Sequence, residues 1–243
     1  MARIEATYLG IEQRFQASVS LGKIETDPYL SGERVDNRRG LTLIARPEDT
    51  TINALQSCLG DLASDLGEQY LQPADDLHTT VLSIIPGTPD YPPATDVVAR
   101  CIRCVAKAIA QFGESFEIDY QGLIASSDAL LVKGYPRGDA LQKLRAEILR
   151  ELAASGLGDY FERRYPMVAA HITVARFTRQ PENLAALAKR LGALKQHRFG
   201  TSRVSEMDLV ENDWYMRTHN LQLEARYTPV SYTHLTLPTI YSV

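Results

Sequence analysis

A chain of 243 residues with a formal charge of −4 can bury a substantial core, but it lacks the basic excess that broad, non-specific nucleic-acid binding requires. Three cysteines are an odd, sparse set that excludes a disulfide framework and fits a reducing compartment. No apolar run reaches bilayer length, and Glu5, Glu12, Gln13 and Arg14 interrupt any signal-peptide core in residues 1–20, so a soluble, cytoplasmic protein is expected.

Ile4, Tyr8, Ile11, Phe15 and Val19 recur at helical spacing and predict a docking helix over residues 1–20. Residues 22–40 are polar, contain Pro28, Gly32 and Gly40, and read as a loop. From there the pattern is regular. Leu41–Ala45 reads as a strand, and Ile52, Leu55, Leu59, Leu62 and Leu66 stripe one helix. A strand over Leu77–Ile85 follows, then a helix carrying Val97, Cys101, Val105, Ala108 and Phe112, then a strand over Phe116–Ile124.

The same order recurs in residues 126–229. Ala129–Lys133 is a strand, and Leu141, Leu144, Ile148 and Leu152 stripe a helix. Val168–Phe177 is a strand, and Pro181 opens a helix with Leu184, Leu187, Leu191 and Leu194. Strands over Val204–Val210 and Leu221–Tyr227 close the pattern. The reading is an α+β fold. Its two pseudo-symmetric strand-helix-strand-helix-strand halves, about 37–125 and 126–229, surround a central cleft. Residues 1–36 form an N-terminal helix and loop extension, and a monomer is expected.

The second strand of each half carries the same short pattern, His78-Thr79-Thr80-Val81 and His171-Ile172-Thr173-Val174. Alternate side chains of a strand share a face, so His78 goes with Thr80 and His171 with Thr173. Two imidazoles and two hydroxyls in one cleft suit acid–base work on a phosphate ester. An imidazole titrates near neutrality and can serve as base or acid, and a hydroxyl can donate to a non-bridging phosphate oxygen. No metal and no cofactor is required by that scheme.

Arg38, Arg39 and Arg176 are weaker candidates for phosphate contacts, and Tyr70, Tyr165 and Trp214 for stacking on a base. Strand alternation places Arg176 on the opposite face from His171, pointing away from the cleft. Cys101-Ile102-Arg103-Cys104 sits inside a helical stripe with no further metal ligands at compatible spacing, so it reads as core. His197 and His219 lie in polar stretches and are expected at the surface.

The paired motifs in a duplicated α+β frame resemble the 2H phosphoesterase superfamily. That group includes RNA 2′,3′-cyclic phosphodiesterases and the proteins called 2′-5′ RNA ligases. The resemblance covers about residues 37–229. It implies His78, His171, Thr80 and Thr173 as catalytic residues and a nucleotide or RNA-end substrate, with no metal and no membrane partner. Two readings compete: a non-catalytic nucleotide- or RNA-binding module, and 2′-5′ end joining at the same site. Val230–Thr239 resembles, residue for residue, the translation of a sequencing-library adapter. Residues 230–243, including a third His-x-Thr match at His234, are therefore read as a non-native tail.

Overall fold

The computed structural model of the chain describes residues 2–91, 93–160 and 167–229; Tyr165 and the segment 230–243 lie outside the described residues. Helix α1 (Ala2–Ser20) buries Ile4, Tyr8 and Phe15, three members of the stripe its spacing predicts. The first half then runs β1 (Arg39–Ala45), α2 (Asp49–Asp61), α3 (Ala63–Leu66), β2 (Tyr70–Leu71), a 3₁₀ turn (Ala74–Asp76), β3 (Thr79–Thr88), α4 (Thr95–Phe112) and β4 (Phe116–Ala125). The second runs β5 (Ala129–Pro136), α5 (Ala140–Ala154), β6 (Ile172–Arg176), α6 (Leu184–Leu194), β7 (Arg198–Val204) and β8 (Met207–Asp213). A 3₁₀ turn (Thr218–Asn220) and β9 (Gln222–Tyr227) follow.

The strands form two antiparallel sheets, in the orders β3-β1-β8-β9 and β2-β6-β5-β4-β7. In each sheet the motif-bearing strand pairs with the opening strand of its own half, β3 on β1 and β6 on β5. The next place is filled from the other half: β8 pairs with β1, and β4 pairs with β5. The halves thus exchange strands, which ties the two sheets together covalently.

One apolar core runs between the layers. It joins Leu41, Leu43 and Val81 from the first sheet to Leu130, Val132, Ile172 and Val174 from the second, with Leu55 and Leu59 of α2 and Leu144 and Ile148 of α5. Each fully buried side chain of this kind contributes about 1.5–3 kcal/mol. Cys58, Cys101 and Cys104 are buried and unpaired, as packing residues should be.

Several element boundaries differ from the sequence reading: β1 opens at Arg39, inside the expected loop, β3 spans Thr79–Thr88 rather than Leu77–Ile85, and β5 runs on to Pro136. The stripe from Ile52 to Leu66 is broken at Leu62 into α2 and α3, just after Gly60, a poor helix former. Helix α6 starts at Leu184 rather than Pro181, because the Asn183 side chain accepts from the Ala186 N–H at 2.9 Å and proline offers no such cap. Val204–Val210 is not one strand: Ser205-Glu206 separates β7 from β8, and the chain changes sheet there. Residues 168–171 lie outside β6, which begins at Ile172.

Candidate active site

His78 and His171 each stand one residue before a strand, at the entrances to β3 and β6. The two strands open with the same alternation. Thr79, Val81 and Leu82 are buried while Thr80 and Ser83 are half-buried; Ile172, Val174 and Ala175 are buried while Thr173 and Arg176 are half-buried. Both histidines are also half-buried, so each shares the open face with the threonine two residues on. Thr79, on the inner face, instead bonds the Tyr120 hydroxyl at 2.6 Å.

The spacing of three between Thr80 and Ser83, and between Thr173 and Arg176, is not strand periodicity. In β3, Leu82 pairs with Leu43 and Thr80 with Ile44, so Val81 is left over. In β6, Ala175 pairs with Leu130 and Thr173 with Leu131, so Val174 is left over. The last residue of each four-residue motif is therefore a bulge, at equivalent places in the two halves. A bulge adds one residue to one strand and resets which face the following side chains take. Arg176 therefore does not point away from the cleft, as unbroken alternation would have it. Its guanidinium lies 5.4 Å from the centre of the Tyr215 ring and near enough to both imidazoles to disfavour their protonation.

The imidazoles differ in their contacts. His78 donates from Nδ1 to the Asp76 carbonyl at 2.8 Å, which leaves Nε2 as its unprotonated nitrogen in the neutral ring. The Asp76 carboxylate in turn accepts from the Thr218 N–H at 2.7 Å and hydroxyl at 2.6 Å, so this turn is pinned from behind. His171 Nδ1 is buried with no hydrogen-bond partner among the described residues. Both rings titrate well below the usual histidine range, at about 4. For His78 the cause is burial, then the positive charges of Arg46 and Arg176 acting against the Asp76 carbonyl. For His171 it is burial, then His78, Arg176 and Arg145. The free site thus holds two neutral imidazoles in a positive surround, an electrostatic setting that favours an anion.

Arg145 of α5 joins the two motif strands. It is 3% exposed and has only backbone carbonyls as partners among the described residues. Nε donates to Val81 O at 2.7 Å and Nη2 to Thr80 O at 3.1 Å; Nη2 also reaches Ala169 O at 2.9 Å, and Nη1 reaches Met167 O at 3.0 Å. β3 is the edge of its sheet, so these carbonyls have no neighbouring strand there. Burial lowers the Arg145 pKa to about 10, so it remains a fixed cation at neutral pH.

Beside this clamp opens a cavity of about 830 Å³, large enough for a nucleotide. His171, Thr80, Ser83, Arg145, Leu82, Leu149, Met167 and Trp214 line it, whereas His78 and Thr173 do not. Arg3 and Thr7 of α1 line it as well.

The weaker candidates separate. Trp214 is 42% exposed and forms part of the cavity wall, where a base could stack on it. Tyr70 lies 6.2 Å from the Tyr215 ring, and burial, then Asp76, raises its pKa. Arg39 is turned to Glu211 at 3.2 Å and does not line the cavity. Arg38 is held between the rings of Tyr29 at 4.1 Å and Trp214 at 4.2 Å and paired with Asp36 at 2.8 Å, so it braces Trp214. Tyr165 lies outside the described residues. His197 and His219 are exposed.

Two contributors escaped the sequence reading. Arg145 stands where α5 should be apolar, four residues after Leu141 and three before Ile148, and a charge inside a buried stripe was its signal. Tyr215 had none; it is buried with its hydroxyl donating to Asp27 at 2.7 Å, and its ring faces Arg38, Arg176 and Arg217. Among the described residues, no group of three or more His, Cys, Asp or Glu side chains could hold a metal ion, and no helix is long and apolar enough to cross a membrane.

The chain shares its α+β fold with solved structures. The Thermus thermophilus protein TT0787 superposes with a TM-score of 0.58, covering 81% of this chain and 100% of that one at 14% identity. Escherichia coli LigT complexed with 3′-AMP gives 0.51 over 79% of this chain and 98% of its own, at 14% identity. Its apo form gives 0.52 over 80% and 99%, at 12% identity. At these identities the likeness is one of fold. No protein-family model and no curated protein matches the sequence.

Proposed function

We propose that the chain is a metal-independent phosphodiesterase that hydrolyses a 2′,3′-cyclic phosphate or a related nucleotide or RNA phosphodiester. The observation that carries this reading is the repeated motif: two imidazoles and two threonine hydroxyls on the open faces of two equivalent, bulged strands. Hydrolysis of a cyclic phosphodiester needs a base to activate water and an acid to protonate the departing ribose oxygen, and His78 and His171 supply both. Thr80 and Thr173 donate to the non-bridging oxygens as charge builds on them. Arg145 adds a fixed positive charge close by, and Arg176, which also pairs with Asp128 at 3.5 Å, adds a second near the imidazoles. The cavity beside Thr80 and His171 takes the nucleoside, with Trp214 as its stacking face. The LigT structure holding 3′-AMP supports a nucleotide as the ligand class.

The test is turnover of 2′,3′-cyclic mononucleotides, RNA 2′,3′-cyclic ends and ADP-ribose cyclic phosphate, each with and without a chelator. Hydrolysis of at least one of them, unchanged in EDTA, is the expected result. Loss of activity in EDTA that one divalent ion restores would overturn the metal-independent mechanism. Binding without turnover of any of them would favour a non-catalytic nucleotide module, and joining of RNA ends without hydrolysis would favour a ligase.

A further inference from the structure

The backbone leading into His171 is held by side chains rather than by a sheet. The β5–β6 ladder runs to Val132 opposite Ile172, and in that register the following pairs would be Lys133 opposite His171 and Gly134 opposite Ala170. Neither belongs to the ladder. The phenol oxygen of Tyr8, from α1, is inserted between Gly134 and Ala170. It donates to the Gly134 carbonyl at 3.0 Å and accepts from the Gly134 N–H at 2.9 Å and, more weakly, from the Ala170 N–H at 3.4 Å. The chain still passes so close that a Cβ at Gly134 would clash with the Ala170 carbonyl. The three residues before Ala170 are held by α5, through Arg145 to Met167 O and Ala169 O and Gln142 to Val168 O at 3.2 Å.

Tyr8 is itself fixed. It is 1% exposed, packs with Ile4, Ile124, Ala129 and Leu131, and meets the Tyr135 ring edge-on at 5.6 Å. A single hydroxyl thus stands where a strand pair would otherwise continue, one residue before the imidazole.

We propose that Tyr8 is a positioning residue for His171: its hydroxyl sets the point at which the chain leaves the sheet and so the reach of the imidazole into the cleft. This rests on the two-histidine reading above and extends it, because it makes α1 a part of the catalytic unit. The same helix lines the substrate cavity through Arg3 and Thr7.

Tyr8→Phe tests the proposal, since it keeps the ring and removes only the oxygen. The expected result is a kcat lower by about ten-fold with KM within about two-fold of wild type, because a displaced general acid or base costs chemistry more than binding. The ring resonances of His171 in 2D NMR should move, while those of His78 stay in place. A variant with a lower melting temperature but wild-type kcat and unmoved His171 resonances would overturn the proposal and leave Tyr8 a packing residue. Equal movement of both histidines would overturn it too, as general loosening. If the wild type turns over none of the cyclic phosphates, the reading above fails, and the His171 resonances alone decide the role of Tyr8.

Discussion

Replacing either histidine should nearly abolish turnover. His78→Ala and His171→Ala are each expected to lower kcat by about 10²–10⁴-fold, the range for loss of a general acid or base. The double variant should cost less than the product, because groups that act as a unit are not additive. Thr80→Val and Thr173→Val each remove one donor to the developing charge and should cost less than the histidines. Melting temperatures at neutral pH should stay close to wild type, since both imidazoles are half-buried and contribute little packing. Full activity in a folded His78→Ala or His171→Ala variant would end the two-histidine mechanism.

The depressed titration of both rings makes the pH dependence specific. One imidazole must be protonated and the other neutral, and in the free protein both change state near pH 4. The optimum of kcat/KM, which reports the free protein, should therefore be acidic. A bound phosphodiester anion offsets the positive surround and raises both pKa values, so the optimum of kcat should lie at higher pH. Coincident optima above pH 7 would contradict the charge distribution described here. Stability follows from the same shifts. Between pH 6.5 and about 4 the unfolded histidines take up protons that the folded ones refuse, so melting temperature should fall as pH drops through that window. The fall should be smaller in the double alanine variant.

How much of this site could be read from residues depends on the kind of regularity involved. The two motifs were legible because a strand's alternation and a duplicated element order are both periodic signals. Thr79 and Ile172 turn inward and Thr80 and Thr173 outward, as alternation requires. The bulges at Val81 and Val174 are not periodic, and valine carries no bulge signal of its own, so simple alternation misplaced the residue that follows them, Arg176. The exchange of strands between sheets was hidden for a similar reason. Ser205-Glu206 is a two-residue polar break inside an apolar stretch, and nothing local shows that the chain enters another sheet there. The Tyr8 hydroxyl meets Gly134 and Ala170 across more than a hundred residues of sequence, a contact only the assembled fold creates.

Arg145 carries the second large effect, and it falls on stability as well as activity. A buried guanidinium costs desolvation energy, and it persists here because four carbonyls from two separate strands surround it. Arg145→Met keeps the stem's packing and removes every one of those bonds. The carbonyls of Thr80, Val81, Met167 and Ala169 then lose a charged donor, and each hydrogen bond to a charged group is worth about 1.5–3 kcal/mol before relaxation or water entry. Since the methionine variant also escapes the desolvation cost, the expected net loss is about 2–4 kcal/mol, a melting temperature lower by about 4–16 °C for a protein of this size. Arg145→Lys retains the charge but cannot span four acceptors from one planar group, so it should fall between wild type and methionine in stability. Both variants should lose turnover, because the guanidinium fixes the spacing between the strand of Thr80 and the approach to His171. The His171 titration should stay depressed in both variants, since burial is its main cause and Arg145 contributes least. A methionine variant that melts with the wild type and turns over at its rate would show that the two strands hold their distance without the clamp.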